Sequence, residues 1–124
     1  MFRAVWIEIP VNDLERAMAF YQAVFDLPAA EIADDGEPRT ATLLNGGAEG
    51  QTPGISLNQT ANFTPSDKGV YVYFDCGSES TSYLPKVEAA GGKVIQPETS
   101  MGGAGYFASV LDTEGNMIGL YSYR

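Results

Sequence analysis

Two strand-like stretches of this sequence alternate apolar residues with aromatic and acidic ones. Trp6 and Glu8 share one face of AVWIEIPV, and Tyr71, Tyr73 and Asp75 share one face of GVYVYFDC. Since successive side chains of a strand point to opposite faces, alternation along the strands predicts one set of residues on the face away from the core: Trp6, Glu8, Ser56, Asn58, Tyr71, Tyr73, Asp75, Gly119 and Tyr121. Aromatic faces attract cations by about 0.5–2 kcal/mol per contact, and nearby carboxylates add charge complementarity. The set therefore predicts a site for a planar or positively charged organic molecule.

Two other interpretations of the same residues stay open. The aromatic side chains could serve packing alone, which would make the chain a non-catalytic structural or partner-binding module. Glu8, if buried among the rings, could be the general base of a metal-free isomerase, epimerase or lyase that removes a proton next to a carbonyl group. It could equally hydrogen-bond a loop or pair with Arg3 or Arg39. A single carboxylate gives the enzyme interpretation less support than the binding interpretation.

Composition limits the other kinds of chemistry. The sequence has no histidine and a single cysteine, Cys76, so neither a disulfide within the chain nor a histidine-activated thiol is available. The net charge of -9 repels phosphate groups, and we expect neither nucleic acid nor a membrane as a partner. No basic N-terminal segment precedes a long apolar run. We therefore expect a soluble, cytoplasmic protein. We also expect that it needs no cofactor.

The elements that position these residues begin with a strand and a helix. Alternation predicts a strand over residues 4–11, whose core face carries Val5, Ile7, Ile9 and Val11. Asn12, with Glu15 three residues later, predicts the N-cap of a helix, and apolar residues recur at helical spacing over residues 14–25. Short strands are predicted near residues 29–33, 40–44 and 55–58. The first half therefore has the order βαβββ.

The second half repeats this order. A strand over residues 69–76 has a core face made of Val70, Val72, Phe74 and Cys76, and a helix is predicted over residues 78–92, where Pro85 marks either a kink or a later start. Strands follow over residues 93–97, 105–112 and 117–123. The turn DTEGN before the last strand is predicted to leave Glu114 exposed. Gly-rich segments at 46–50 and 101–105 are predicted to be loops, the second of them a candidate lid.

Three segments of the chain resemble the vicinal oxygen chelate superfamily, which includes glyoxalase I, extradiol dioxygenases, fosfomycin-resistance enzymes and bleomycin-resistance proteins. They are residues 8–25, 86–97 and 105–120, in the order and spacing of that family. The resemblance implies an α+β fold of two tandem βαβββ modules, about 1–62 and 66–124, in a single domain of residues 1–124. It implies that the sheets form a cup with the helices outside and the ligand inside. It also implies a homodimer.

The same resemblance locates the positions at which the family's metal enzymes carry their ligands. They correspond here to Trp6, Ser56, Tyr71 and Gly119. An indole N–H only donates, a glycine has no side chain, and neutral hydroxyl groups are poor ligands. We therefore expect no bound metal and none of the family's metal-dependent chemistry. The resemblance then points to its binding branch, in which bleomycin-resistance proteins sequester a cationic drug, and to a metal-independent small-molecule-binding protein.

Overall fold

The first half of the chain folds as a four-stranded mixed sheet with one helix. A computed structural model describes residues 2–34, 36–46 and 52–123. Module one comprises β1 (Trp6–Pro10), α1 (Leu14–Phe25), β2 (Ile32–Asp34), β3 (Arg39–Leu44) and β4 (Gly54–Gln59). The strand order is β1-β4-β3-β2. β1 and β4 run parallel, as the helical crossover between distant strands allows, and the other two pairs are antiparallel.

The second half repeats this topology. Module two comprises β5 (Val72–Asp75), a 3₁₀ turn (Ser80–Ser82), α2 (Leu84–Ala89), β6 (Lys93–Ser100), β7 (Tyr106–Leu111) and β8 (Met117–Ser122). Its strand order is β5-β8-β7-β6, again with the first and last strands parallel. The two four-stranded sheets confirm the predicted α+β fold with a duplicated βαβββ order.

One hydrophobic core serves both modules. Along α1 the buried side chains recur every three or four residues, as one helix face requires: Leu14, Ala17, Phe20, Tyr21 and Val24. The apolar faces of both sheets complete the same cluster through Ile9, Ala41, Leu57, Ala108, Val110, Ile118 and Leu120. The Phe25 ring of module one packs against Phe74 of module two, with ring centroids 5.2 Å apart. The two modules therefore pack against each other within one chain.

Two residues predicted to lie in the core are exposed. Val5 is 59% exposed and Val70 is 93% exposed. Each precedes the first residue of its strand, because β1 begins at Trp6 and β5 begins at Val72. The predicted core faces are therefore wrong at these two positions, although alternation holds further along both strands.

The helix starts also differ from the predicted ones. Asp13, not Asn12, is the N-cap of α1, and its carboxylate accepts a hydrogen bond from the Arg16 amide at 3.1 Å. α2 begins at Leu84 and has Pro85 in its first turn. Proline is tolerated there because the first amides of a helix have no partner within it. Of the two alternatives for Pro85, the later start is the correct one.

The turn before β8 joins module two to the start of α1. Glu114, predicted to be exposed, is buried, and its carboxylate accepts hydrogen bonds from the amides of Asn12 and Asp13, both at 2.9 Å. It also binds Arg16, with Nε and Oε2 2.7 Å apart. The prediction is wrong because the unpaired first amides of α1 attract a carboxylate from the other module.

Two further predictions concern a loop and the membrane. Most of the Gly-rich segment 46–50 lies outside the described residues.

Within the part of the chain that the structure describes, no helix is long and apolar enough to cross a membrane.

Candidate functional site

In module one, Trp6, Ser56 and Asn58 form a hydrogen-bonded row on the sheet face opposite the core. Trp6 Nε1 donates to Ser56 Oγ at 3.2 Å, and the Ser56 hydroxyl donates to Asn58 Oδ1 at 2.7 Å. The parallel pairing of β1 with β4 places Trp6 beside Gly54, and a Cβ at Gly54 would clash with the indole ring. The indole is thus held by its N–H and by the Gly54 backbone against one ring face, while 45% of Trp6 stays exposed.

In module two, the corresponding face carries a group of three rings. Tyr71 and Tyr73 stack with their centroids 4.7 Å apart, and Phe107 meets Tyr73 edge-on at 6.3 Å. The Tyr71 hydroxyl is hydrogen-bonded to Ser109. A Cβ at Gly119 would lie 2.5 Å from Tyr73 and 2.8 Å from Tyr71, so the missing side chain is what allows both rings to lie close to β8. Tyr71 is 37% exposed and Tyr73 is 47% exposed.

Both modules use the same arrangement of a ring over a glycine. Trp6 pairs with Gly54 across β1 and β4, and Tyr73 pairs with Gly119 across β5 and β8. A glycine within a strand leaves backbone uncovered, and a neighbouring aromatic ring can cover it. The covering ring then turns its other face to solvent. Each module therefore presents a supported aromatic surface.

Within the described chain, three of the predicted site residues make no hydrogen bond or ring contact with these groups, although Glu8 lies opposite Ser56 and Tyr121 lies opposite Phe107 in the strand registers. Glu8 is exposed and lines a cavity of about 260 Å³ between the two sheets. The Asp75 carboxylate accepts a hydrogen bond from the Gly77 amide at 2.8 Å, and the Tyr121 hydroxyl donates to the Ala104 carbonyl at 2.7 Å. No hydrogen bond or ring contact of the described residues joins these three to the ring groups.

The structure thus brings six of the nine predicted residues into two groups, Trp6, Ser56 and Asn58 in one, and Tyr71, Tyr73 and Gly119 in the other. Sequence analysis missed Gly54, Phe107 and Ser109. Ser109 lies opposite Gly119 in the pairing of β7 with β8. Alternation along YFASVL would have placed Phe107 and Ser109 on the same face. The sequence therefore carries a signal that identifies both residues.

The candidate lid, residues 101–105, is attached to the sheet. The Met101 amide donates to the Gly105 carbonyl at 2.8 Å, the Gly102 amide donates to Ser100 Oγ at 3.1 Å, and Tyr121 bonds Ala104. Gly102 and Gly103 have φ of 67° and 99°, which glycine adopts at no steric cost. These bonds favour a fixed hairpin turn over a lid.

The family resemblance places Trp6, Ser56, Tyr71 and Gly119 at the positions of metal ligands, and the hydroxyl groups among them already have partners in this chain. Ser56 Oγ already accepts from Trp6 and donates to Asn58, and the Tyr71 hydroxyl is bonded to Ser109. Gly119 offers no side chain. Among the described residues, no group of three or more His, Cys, Asp or Glu side chains could hold a metal ion. The donor set therefore lacks the imidazole and carboxylate groups that such an ion requires.

Comparison with known proteins identifies the family. The model of the Glyoxalase/Bleomycin resistance protein/Dioxygenase superfamily matches residues 3–120, and the chain belongs to this superfamily. The match confirms the resemblance to vicinal oxygen chelate proteins. Among curated proteins there is no match.

Solved structures of the same superfamily share the fold. A domain from Frankia sp. EAN1pec, described as glyoxylase/bleomycin resistance protein/dioxygenase, has a TM-score of 0.77 at 15% identity, covering 100% of this chain and 93% of that one. A family enzyme from Burkholderia phytofirmans PsJN has a TM-score of 0.70 at 19% identity, over 98% and 100% of the two chains. A glyoxalase I variant from Zea mays has a TM-score of 0.70 at 22% identity, with 95% of this chain covering 46% of that one. At these identities the likeness establishes the fold alone.

Proposed function

We propose that this protein binds a small planar organic molecule, with a preference for cations, on the exposed rings of Trp6, Tyr71 and Tyr73, and that it does so without a metal ion. The observation that carries the proposal is the exposure of these rings. They are 45%, 37% and 47% exposed, although each is held by a hydrogen bond or a stacked neighbour. Rings fixed in this way lose little conformational freedom when they stack on a ligand.

The preference for cations follows from the rings and from the net charge. The negative face of an aromatic ring attracts a cation, and the net charge of -9 raises the local concentration of cations around the protein. Arg16, Arg39 and Lys68 are each engaged in an ion pair with an acidic side chain. The net charge of -9 already counts these cations, so the field around the protein remains negative.

Binding without turnover has better support than catalysis by Glu8. Glu8 is exposed, so the condition under which it would act as a base among buried rings is not met. The hydroxyl of Ser56 is bonded to an amide oxygen and that of Tyr71 to another hydroxyl, and neither partner is a base that could activate them.

A pair of matched probes tests the proposal. N-methylquinolinium and quinoline have nearly the same shape, but only the first is a cation near neutral pH. We expect calorimetric titration to show tighter binding of the cation. Trp6 is the single tryptophan of the chain, so quenching of its fluorescence reports whether the probe reaches the proposed surface.

Variants then separate the site from the rest of the surface. Trp6→Ala, Tyr71→Ala and Tyr73→Ala should each weaken binding by about tenfold, in line with stacking worth about 1–3 kcal/mol per ring. Tyr123→Ala is the matched control, because Tyr123 is 65% exposed and lies outside both ring groups. Equal binding by wild type and by the three ring variants would contradict the proposal.

Native mass spectrometry of protein purified without chelators tests the remaining expectations. The proposal expects an organic ligand mass or a bare protein, and a homodimer, as the family resemblance implies. A stoichiometric divalent ion would overturn metal-independent binding, and recovery of a chemically altered probe would favour an enzyme.

A further inference from the structure

Strands β1 and β5 each lie at an edge of their sheet, and residues of both line one cavity; we call the gap between them the seam. The cavity of about 260 Å³ lies in this seam. Its apolar lining comes from Ile7, Ile9, Val72, Met117 and Ile118, and Glu8 and Lys68 bring opposite charges to it. Trp6, Tyr71 and Tyr73 are not among the lining residues. The seam cavity therefore borders the ring group of module one at Glu8, which lies opposite Ser56, and does not include the rings themselves.

Glu8 has no partner for its charge within the described residues. None of them donates a hydrogen bond to its carboxylate or forms an ion pair with it. Lys68, which lines the same cavity, binds Asp67 at 3.0 Å, and its side chain is 86% exposed. Arg39 is engaged by Glu15 and Asp34. An exposed carboxylate beside aliphatic side chains is thus available to a cation from outside the chain.

We propose that the seam cavity is a second binding site, for a small molecule that joins a primary ammonium group to a compact apolar group. The ammonium group would bind Glu8, and the apolar group would lie against Ile7, Val72 and Ile118. The volume is just below the roughly 300–1,000 Å³ of pockets for drug-sized ligands, which selects for a ligand of smaller size. This site does not depend on the ring surface binding any ligand.

Phenethylamine and 2-phenylethanol are suitable probes, because they differ in the ammonium group and share the apolar group. The protein has four methionines, one of which, Met117, lines the cavity. In methyl spectra of methionine-labelled protein, phenethylamine should shift the Met117 signal and leave the Met101 signal unchanged. Tyr73→Ala, which weakens quinolinium binding, should leave phenethylamine binding unchanged.

Variants test whether Glu8 supplies the negative charge that binds the ammonium group. Glu8→Gln should weaken phenethylamine binding by about tenfold, because it removes a charge-assisted hydrogen bond at a partly exposed site. Lys68→Ala should strengthen binding, because it removes a positive charge from the lining of the cavity that the ammonium group would enter. Glu79→Gln is the matched control, since it changes the net charge by the same amount at another exposed site.

Several results would overturn the second site. These are equal affinity for 2-phenylethanol and phenethylamine, unchanged binding by Glu8→Gln, or no shift of the Met117 signal at millimolar phenethylamine. Loss of phenethylamine binding in Tyr73→Ala would show one continuous site in place of two. Because quinolinium binding is measured through Trp6, failure of either proposal leaves a separate signature.

Discussion

Replacement of Glu114 by glutamine tests how strongly the turn before β8 is held against α1. Burial alone would raise the pKa of the Glu114 carboxyl. Hydrogen bonds from Arg16, from the amides of Asp13 and Asn12 and from Thr113 outweigh this and lower the pKa from 4.5 to about 2. The carboxylate is therefore more stable in the folded protein than in the unfolded chain.

The size of the effect follows from this difference in pKa. At 1.36 kcal/mol per pKa unit, the change from 4.5 to about 2 corresponds to roughly 3 kcal/mol of stability. Half of the Arg16 side chain is exposed, although that of Glu114 is not, so solvent screens part of the interaction. We expect Glu114→Gln to lower the free energy of unfolding by about 2 kcal/mol near pH 7.

The dependence on pH gives the sharper test. A carboxyl whose pKa is lowered by folding adds stability above its unfolded pKa and loses it as the pH falls through the folded pKa. The difference between wild type and Glu114→Gln should therefore shrink between about pH 5 and pH 2. Urea unfolding monitored by circular dichroism measures it, with Glu79→Gln as a control for the loss of one exposed charge. A difference that stays constant over this range, or one below about 0.5 kcal/mol near pH 7, would refute the reasoning.

Two further predictions concern Gly119 and Cys76. Gly119→Ala places a methyl group 2.5 Å from the Tyr73 ring, so it should lower the free energy of unfolding by about 1–3 kcal/mol. It should also weaken quinolinium binding in calorimetric titration. Unchanged binding would show that the position of the ring does not matter for the ligand. Burial and the neighbouring Asp75 raise the pKa of the Cys76 thiol to about 11. Near pH 8, its alkylation by iodoacetamide should be about a hundredfold slower than in urea-unfolded protein, because far less thiolate is present; equal rates would contradict the burial argument.

Local features of the chain could be predicted because local patterns determine them. The helical spacing of apolar residues predicts α1, whose bounds are Leu14–Phe25. Strand alternation predicts the core faces of β4 and β8, where Leu57, Ile118 and Leu120 are buried. The exposed ends at Val5 and Val70 could not be predicted in this way. Alternation indicates which side of a strand is apolar, but only the neighbouring strand decides where pairing begins.

The partners of Glu114 lay beyond sequence reasoning for a different reason. Its contacts with Asn12, Asp13 and Arg16 join residues about one hundred positions apart. A turn sequence of the DTEGN type predicts backbone geometry and carries no information about what packs against it. Long-range contacts of this kind depend on how the two modules dock.

The candidate site also has a part that local patterns predict and a part that depends on long-range contacts. Its pairs within a module could be inferred, because Trp6 and Ser56 lie on adjacent strands and share a face. Glu8 follows Trp6 by two residues on the same strand, and alternation therefore assigned it to the ring surface. The pairing of β1 with β4 places Glu8 opposite Ser56. Glu8 also lines the seam cavity, whose residues outside β1 come from module two and from the segment between the modules, and alternation along one strand carries no information about them.

The two modules carry unlike versions of one arrangement. In both, the first and last strands run parallel and a ring lies over a glycine, so the backbone arrangement is common to both. Module one adds hydrogen-bonding groups through Ser56 and Asn58, whereas module two adds the stacked Tyr71. Ser56 and Asn58 are buried and bonded within module one, so they support the Trp6 indole in the way that stacking on Tyr71 supports Tyr73 in module two. The surface that each module leaves for a ligand is therefore the outer face of a ring.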